Sequence, residues 1–222
     1  DGSALLVIPG GGYHNEWFDG EGYDVARHFN RVGVTCFVLR YRLPAEGWAD
    51  RGDVPLQDAQ RAIRLIRAGA AKYGIDPARV GVMGFSAGGH VNGSLSTRWD
   101  AKVYAPIDAA DSQETRPAFA GLIYPVITME TGIDGGSRDH LLGLSPTAAQ
   151  KALYSCDQQV SAAMPPCFIC CAADDPLVPP IPNSLAMFQA GRGVKGPAAV
   201  HVFEVGGHGF CIGGTVCKPV SA

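Results

Sequence analysis

The amino-acid sequence predicts an α/β fold: a mostly parallel, doubly wound sheet with helices on both faces, formed by a single domain over residues 1–222. Short β-branched or aromatic runs alternate with segments of helical apolar period along the chain, the pattern of strand–helix–strand units. At 222 residues, 46% of them hydrophobic, the chain can bury one sizeable core. Two glycine-rich stretches, PGGGYH and GFSAGG, directly follow strand-like runs, at the carboxyl ends where such sheets bind ligands.

ALLVIP reads as the first strand and leads straight into PGGGYH. A helix is expected over Gly22 to Arg31, where Val25, Ala26 and Phe29 recur at helical spacing. VTCFVLRY has the composition and length of a strand. From about Leu56 to Lys72, Ala59, Ile63, Ile66 and Ala70 share one face while Arg61, Arg64 and Arg67 fall elsewhere, as in an amphipathic helix. Tyr73, Gly74 and Ile75 stop it, and DPARVGVMG supplies a turn and the next strand. AGGHVNGSLST then reads as a helix of small residues able to pack closely on a sheet. Further strands are expected at FAGLIYPVI, CFICCAA and AVHVFEV, with a helix near Asn183 to Ala190 just after Pro182. Residues 128–161 break the rhythm as mixed helix and loop, and are expected to cover the carboxyl edge of the sheet as a lid.

Composition excludes several function classes. The net charge of −3 comes with lysines and arginines scattered through the chain, so no basic stripe is available to neutralise phosphates and no nucleic acid is expected as partner. No apolar run approaches the roughly 20 residues needed to cross a bilayer, and DGSALLVIPGGGYH lacks the features of a signal peptide. The chain therefore reads as soluble, with no membrane partner. Seven cysteines cannot all pair within the chain, which favours a reducing, cytoplasmic compartment. Cys167, Cys170 and Cys171 resemble a metal cluster in spacing, but in a strand side chains i and i+3 point to opposite faces, so no metal is expected. Cys211 and Cys217 could close a short loop.

The chemistry gathers at strand ends. Gly84-Phe85-Ser86-Ala87-Gly88 is a G-x-S-x-G with a strand before it and a helix after it, the context in which small neighbours allow a sharp turn that exposes a serine hydroxyl. Such a serine is a weak nucleophile until a base takes its proton and an acid orients that base. CAADDPLVPP offers Asp174 and Asp175 after one strand, and VFEVGGHGF offers His208 in a glycine-rich loop after the last. Of the other histidines, His201 falls in a strand, His28 on a helix and His140 in the lid segment. His90 is expected to pack beneath the sheet, and His14, beside the glycine loop, is the rival base. An acyl-transfer site also needs a second oxyanion donor besides the Ala87 N–H, and the backbone of Gly10-Gly11-Gly12 stands where one is required.

Beyond these motifs, the glycine loop with its following helix, the DAQRAIRLIRAGAAKYGIDPARVGVMGFSAGGHV block, YPVITM, GSRDHLLG, PPCFICCAADDPLVP and HVFEVGGHGF resemble the acetyl xylan esterase and acetylesterase branch of the α/β-hydrolase superfamily over most of the chain. The resemblance implies Ser86 as nucleophile, His208 as base, and Asp175 rather than Asp174 as acid, because the family's acid stands three residues before the valine of D-x-x-V. It implies oxyanion donors at Gly11 or Gly12 together with Ala87, and short acyl esters of xylan or other saccharides as substrates, with no metal or organic cofactor. Tyr13, His14 and Trp17 are then the candidate sugar-facing groups. The sequence departs from the family at both ends: the oxyanion-loop strand begins within a few residues of Asp1, and CIGGTVCKPVSA has no helical period, so the fold reads as lacking the first strands and the last helix. A homo-oligomer is one way to cover the surface this would bare. Competing readings are a prolyl-oligopeptidase-like peptidase, for whose propeller the chain has no room, and a catalytically impaired hydrolase fold kept for binding. A long-chain lipase is a third, though TGIDGGSRDHLLG is too polar for its lid.

Overall fold

The computed structural model describes residues 2–130 and 135–212. Its strands are β1 (Ala4–Ile8), β2 (Thr35–Val38), β3 (Val80–Phe85), β4 (Ala120–Ile123), β5 (Cys167–Ala172) and β6 (Ala198–Phe203). They form one sheet in the order β2-β1-β3-β4-β5-β6, and every pairing is parallel. The chain passes from β1 outward to β2 and then returns to place β3 on the other side of β1. The carboxyl ends of β1 and β3 therefore flank the topological switch point, where a crevice opens in sheets of this kind.

The helices are α1 (Asp24–Asn30), α2 (Val54–Ala68), α3 (Ala70–Tyr73), α4 (Ser86–Thr97), α5 (Gly135–Leu142), α6 (Ala148–Tyr154) and α7 (Ala186–Gly193). They cover the two faces unequally. Leu6, Ile8, Val80 and Val82 pack against Ile63 and Ile66 of α2 and Val91 and Leu95 of α4. Farther along the same face, Leu122 and Ile169 meet Met187 of α7. The opposite face, with Leu5, Val7 and Phe85, receives Val25 of α1. Burial on both sides explains why ALLVI is a continuous apolar run rather than an alternating one. Leu122 is fully buried at the centre of its cluster, so Leu122→Ala is expected to cost about 2–5 kcal/mol, read as a lowered urea midpoint at unchanged slope.

Several boundaries differ from those read in the sequence. The strand expected over VTCFVLRY stops at Val38. The long helix expected to Lys72 is interrupted at Gly69, whose N–H bonds the Leu65 carbonyl, and a further turn runs from Ala70 to Tyr73. FAGLIYPVI is strand only as far as Ile123, because Tyr124 adopts a positive φ of 35° and turns the chain. The helices near Gly22 and Asn183 are each entered through a π-helical turn, Asp19–Tyr23 and Ile181–Leu185. Residues 131–134, within the segment expected to form a lid, lie outside the described residues. So do residues 213–222, which include Cys217 and most of the tail read as lacking a helix. Among the described residues no helix is long and apolar enough to cross a membrane.

Candidate active site

The turn from β3 into α4 gives Ser86 a backbone that few residues adopt. Its φ is +52°, the left-handed region that side chains normally avoid. The two glycines of the motif permit this by closeness rather than by flexibility. A Cβ on Gly84 would strike the Gly88 carbonyl, and one on Gly88 would strike the carbonyls of Ile8 and Pro9, so strand, turn and helix are wedged together around the serine. Ala87 is the second residue of α4, and its N–H is among the first four in the helix, which have no intrahelical acceptor.

His208 lies beyond β6 between Gly207 and Gly209, both at positive φ. Its Nδ1 is 2.7 Å from Asp175 Oδ2 and its Nε2 is 2.8 Å from Ser86 Oγ. A carboxylate only accepts, so the partner assigns the proton to Nδ1 and leaves the Nε2 lone pair facing the serine hydroxyl. Asp175 is buried, and its other oxygen accepts the N–H groups of Leu177 and Val178 at 2.9 Å each. Those bonds explain the D-x-x-V spacing: the turn that ends on the valine returns its amide to the acid. Asp174 serves a different group, accepting the N–H of Gly206 at 2.9 Å and of Gly207 at 2.8 Å, and so holds the loop that carries His208.

The glycine loop after β1 faces this relay across a cavity of about 240 Å³, whose wall includes Gly11, Gly12, Trp17, Glu21, Ser86 and His208. The loop's carbonyls are all engaged. The Gly10 oxygen accepts the Trp17 N–H, the Gly11 oxygen those of His14 and Asn15, and the Gly12 oxygen accepts from Nδ1 of His140 at 2.8 Å. In a trans peptide the N–H points opposite to the carbonyl before it, so the Gly11 and Gly12 N–H groups are directed away from those partners. Gly11, at φ +127°, takes a conformation open to glycine alone.

Of the three candidate sugar-facing groups, only Trp17 lines the cavity, at 37% exposure. Tyr13 is a correction. Its φ of +60° turns the ring inward, where it is 1% exposed and its hydroxyl donates to His90 Nδ1 at 2.6 Å, so it cannot face substrate. His90 in turn donates from Nε2 to the Tyr154 carbonyl, and burial pushes its pKa down to about 4, so it is a neutral core histidine as expected. His14 is exposed and stacked on His140 at 5.2 Å between ring centroids, apart from the cavity wall. Cys167, Cys170 and Cys171 are buried along β5, and burial raises all three thiols above their usual range. Among the described residues no three His, Cys, Asp or Glu side chains gather as metal ligands.

Two residues of the site escape sequence reasoning. Glu21 is a buried carboxylate, 5% exposed, in the cavity wall. Burial raises its pKa above the usual carboxylate range, and the Gly10 N–H, the Tyr124 hydroxyl and the nearby His208 offset only part of that rise. Tyr124 is fully buried, and its ring meets His208 edge-on at 4.9 Å. The available signal for Glu21 was its setting in DGEGY: a charged residue flanked by two glycines is one the backbone approaches closely, and a Cβ on Gly22 would meet Val38 at 2.9 Å.

Comparison with known proteins identifies the family of the fold. A family described as the alpha/beta hydrolase fold matches residues 5–212. An endo-1,4-beta-xylanase B of Butyrivibrio fibrisolvens is 39% identical over 94% of the chain and 32% of its own length. An acetylxylan esterase of Xylanibacter ruminicola is 34% identical over 96% of the chain and 42% of its own length. The chain thus spans less than half the length of either relative. Among solved structures, an acetyl ester-xyloside bifunctional hydrolase from Caldicellulosiruptor lactoaceticus superposes with a TM-score of 0.86 at 36% identity, covering 94% of this chain and 74% of that one.

Proposed function

Because the chain belongs to the α/β-hydrolase fold family, we propose that it is a serine carboxylic-ester hydrolase acting on short acyl groups, chiefly acetyl, carried by xylan or related saccharides. The observation that carries the proposal is the continuous relay from Asp175 through His208 to Ser86, at 2.7 and 2.8 Å, opening on a small cavity beside the glycine loop. In this reading Ser86 Oγ attacks the ester carbonyl while His208 Nε2 takes its proton, and Asp175 stabilises the imidazolium. The tetrahedral oxyanion is held by the N–H of Ala87 together with Gly11 or Gly12. His208 gives the proton to the departing sugar oxygen, leaving an acyl-serine. Water, deprotonated by the same imidazole, then attacks the acyl-serine; the carboxylic acid leaves, the proton returns to Ser86, and no cofactor enters the balance.

The xylan-related relatives support the saccharide portion of the proposal, and the cavity supports the acyl portion. About 240 Å³ is below the roughly 300–1,000 Å³ of typical small-molecule sites, and Leu177 and Val178 line it beside Trp17. Trp17 is the group we assign to the alcohol side, where an exposed aromatic can face a sugar ring. The test is a p-nitrophenyl ester series followed by release of acetate from acetylated xylan. Efficiency is expected to fall from acetate to butyrate and by at least about 100-fold at octanoate, the equivalent of about 3 kcal/mol of steric exclusion. Equal turnover of all three would remove the short-acyl assignment, and no acetate from acetylated xylan would remove the saccharide one.

A further inference from the structure

We infer that Glu21 is a positioning residue of this site, a clamp whose carboxylate ties the glycine loop to the Tyr124 turn and so holds the loop N–H groups, Ser86 and His208 in one register. The kinetic part of this inference rests on the esterase reading; the structural part does not. Among the described residues Glu21 has no Lys or Arg partner, although burying an unpaired carboxylate is costly. What it has instead are two donors from distant parts of the chain. Oε2 accepts the Gly10 N–H at 2.7 Å, and Oε1 accepts the Tyr124 hydroxyl at 3.0 Å.

Each donor leads to a reacting group. Gly10 immediately precedes the proposed oxyanion donors, and it is seated between the clamp and the serine: a Cβ there would lie 2.7 Å from Glu21 Oε2 and 2.8 Å from Ser86 Cβ. Tyr124 holds a positive φ that a non-glycine residue adopts only under constraint, and its ring is the edge-on neighbour of His208. One carboxylate therefore spans the loop on one side of the cavity and the support of the base on the other. The Gly10 bond, at 2.7 Å, is the shorter of the two, and the Tyr124 bond, at 3.0 Å, is of ordinary strength; together they fix the carboxylate between loop and turn.

The test compares Glu21→Ala, Glu21→Gln and Tyr124→Phe in the whole 222-residue chain, reading kcat, KM and thermal midpoint with p-nitrophenyl acetate. Displacing a reacting group by the order of 1 Å can cost about 100-fold, so Glu21→Ala is expected to lower kcat by about 10- to 100-fold with KM within about 3-fold. Glu21→Gln is expected to recover most of that loss. Its amide oxygen can still accept from Gly10, and the tyrosine hydroxyl can turn to accept from its NH₂. A Glu21→Ala enzyme with wild-type kcat, or a Glu21→Gln enzyme as impaired as Glu21→Ala, overturns the clamp. If Glu21→Ala does not fold, Tyr124→Phe, which loses a single hydroxyl, is expected to lower kcat severalfold at unchanged KM, and wild-type kcat there overturns it. The Gly10 amide resonance reads the contact without turnover and is expected to move when the charged acceptor becomes neutral in Glu21→Gln. Wild-type protein that hydrolyses no ester would therefore sink the esterase reading alone, while a Gly10 amide unmoved by Glu21→Gln would sink the clamp.

Discussion

Ser86→Ala is expected to lower kcat on p-nitrophenyl acetate by about 10⁵- to 10⁶-fold while leaving the fold intact, the scale seen when a hydrolase loses the atom that forms the covalent bond. The expectation of an intact fold is specific to this turn. At φ +52° alanine and serine carry the same Cβ, so the strain of the elbow is common to both, and the glycines wedged around it are untouched. What the variant loses is Oγ, the group 2.8 Å from His208 Nε2. Thermal midpoints should match within a few degrees. A variant that keeps more than about a thousandth of the activity would mean that another group attacks the ester.

Asp175→Asn is expected to cost about 10⁴-fold in kcat, together with some stability, because the buried carboxylate is saturated by donors on both oxygens. Oδ2 accepts from His208 Nδ1, while Oδ1 accepts from the Leu177 and Val178 amides. If the asparagine oxygen faces the histidine, its NH₂ meets two N–H groups and three donors are left without acceptors, at about 1–3 kcal/mol for each buried group. If the NH₂ faces the histidine, Nδ1 must accept, the ring proton moves to Nε2, and the base confronts Ser86 with a hydrogen instead of a lone pair. Asp174→Asn is the internal control. Its oxygen can still accept from Gly206 and Gly207, so kcat should remain within about 10-fold of wild type, well clear of the Asp175→Asn loss.

The contrast between these neighbouring aspartates shows how far sequence reasoning reaches. Ser86 and His208 are legible because their chemistry is written locally: a strand-to-helix context around one, glycine flanks around the other, and chain order linking both to an intervening acid. Residue types alone leave Asp174 and Asp175 equal, and only resemblance separates them before their partners are seen. Tyr13 is misread for a related reason. It directly follows the glycine loop, but its direction is set by a φ of +60° and by His90, 77 residues away, neither of which periodicity can convey. Glu21 depends on Tyr124 across 103 residues, and FAGLIYPVI conceals Tyr124 because its apolar composition continues after the strand has ended. The sheet is easier to anticipate, since strands covered on both faces carry unbroken apolar runs. The uneven cover of its two faces is a matter of packing and has no local signature.

The most direct test of the covalent mechanism is acid quench of the protein during turnover of p-nitrophenyl acetate, followed by peptide mapping by mass spectrometry. A covalent mechanism at Ser86 leaves an acetyl group on the peptide carrying that residue, formed before steady state and absent from Ser86→Ala. An acetyl group that arises at that rate on another side chain, or steady hydrolysis with Ser86 never modified, would contradict it.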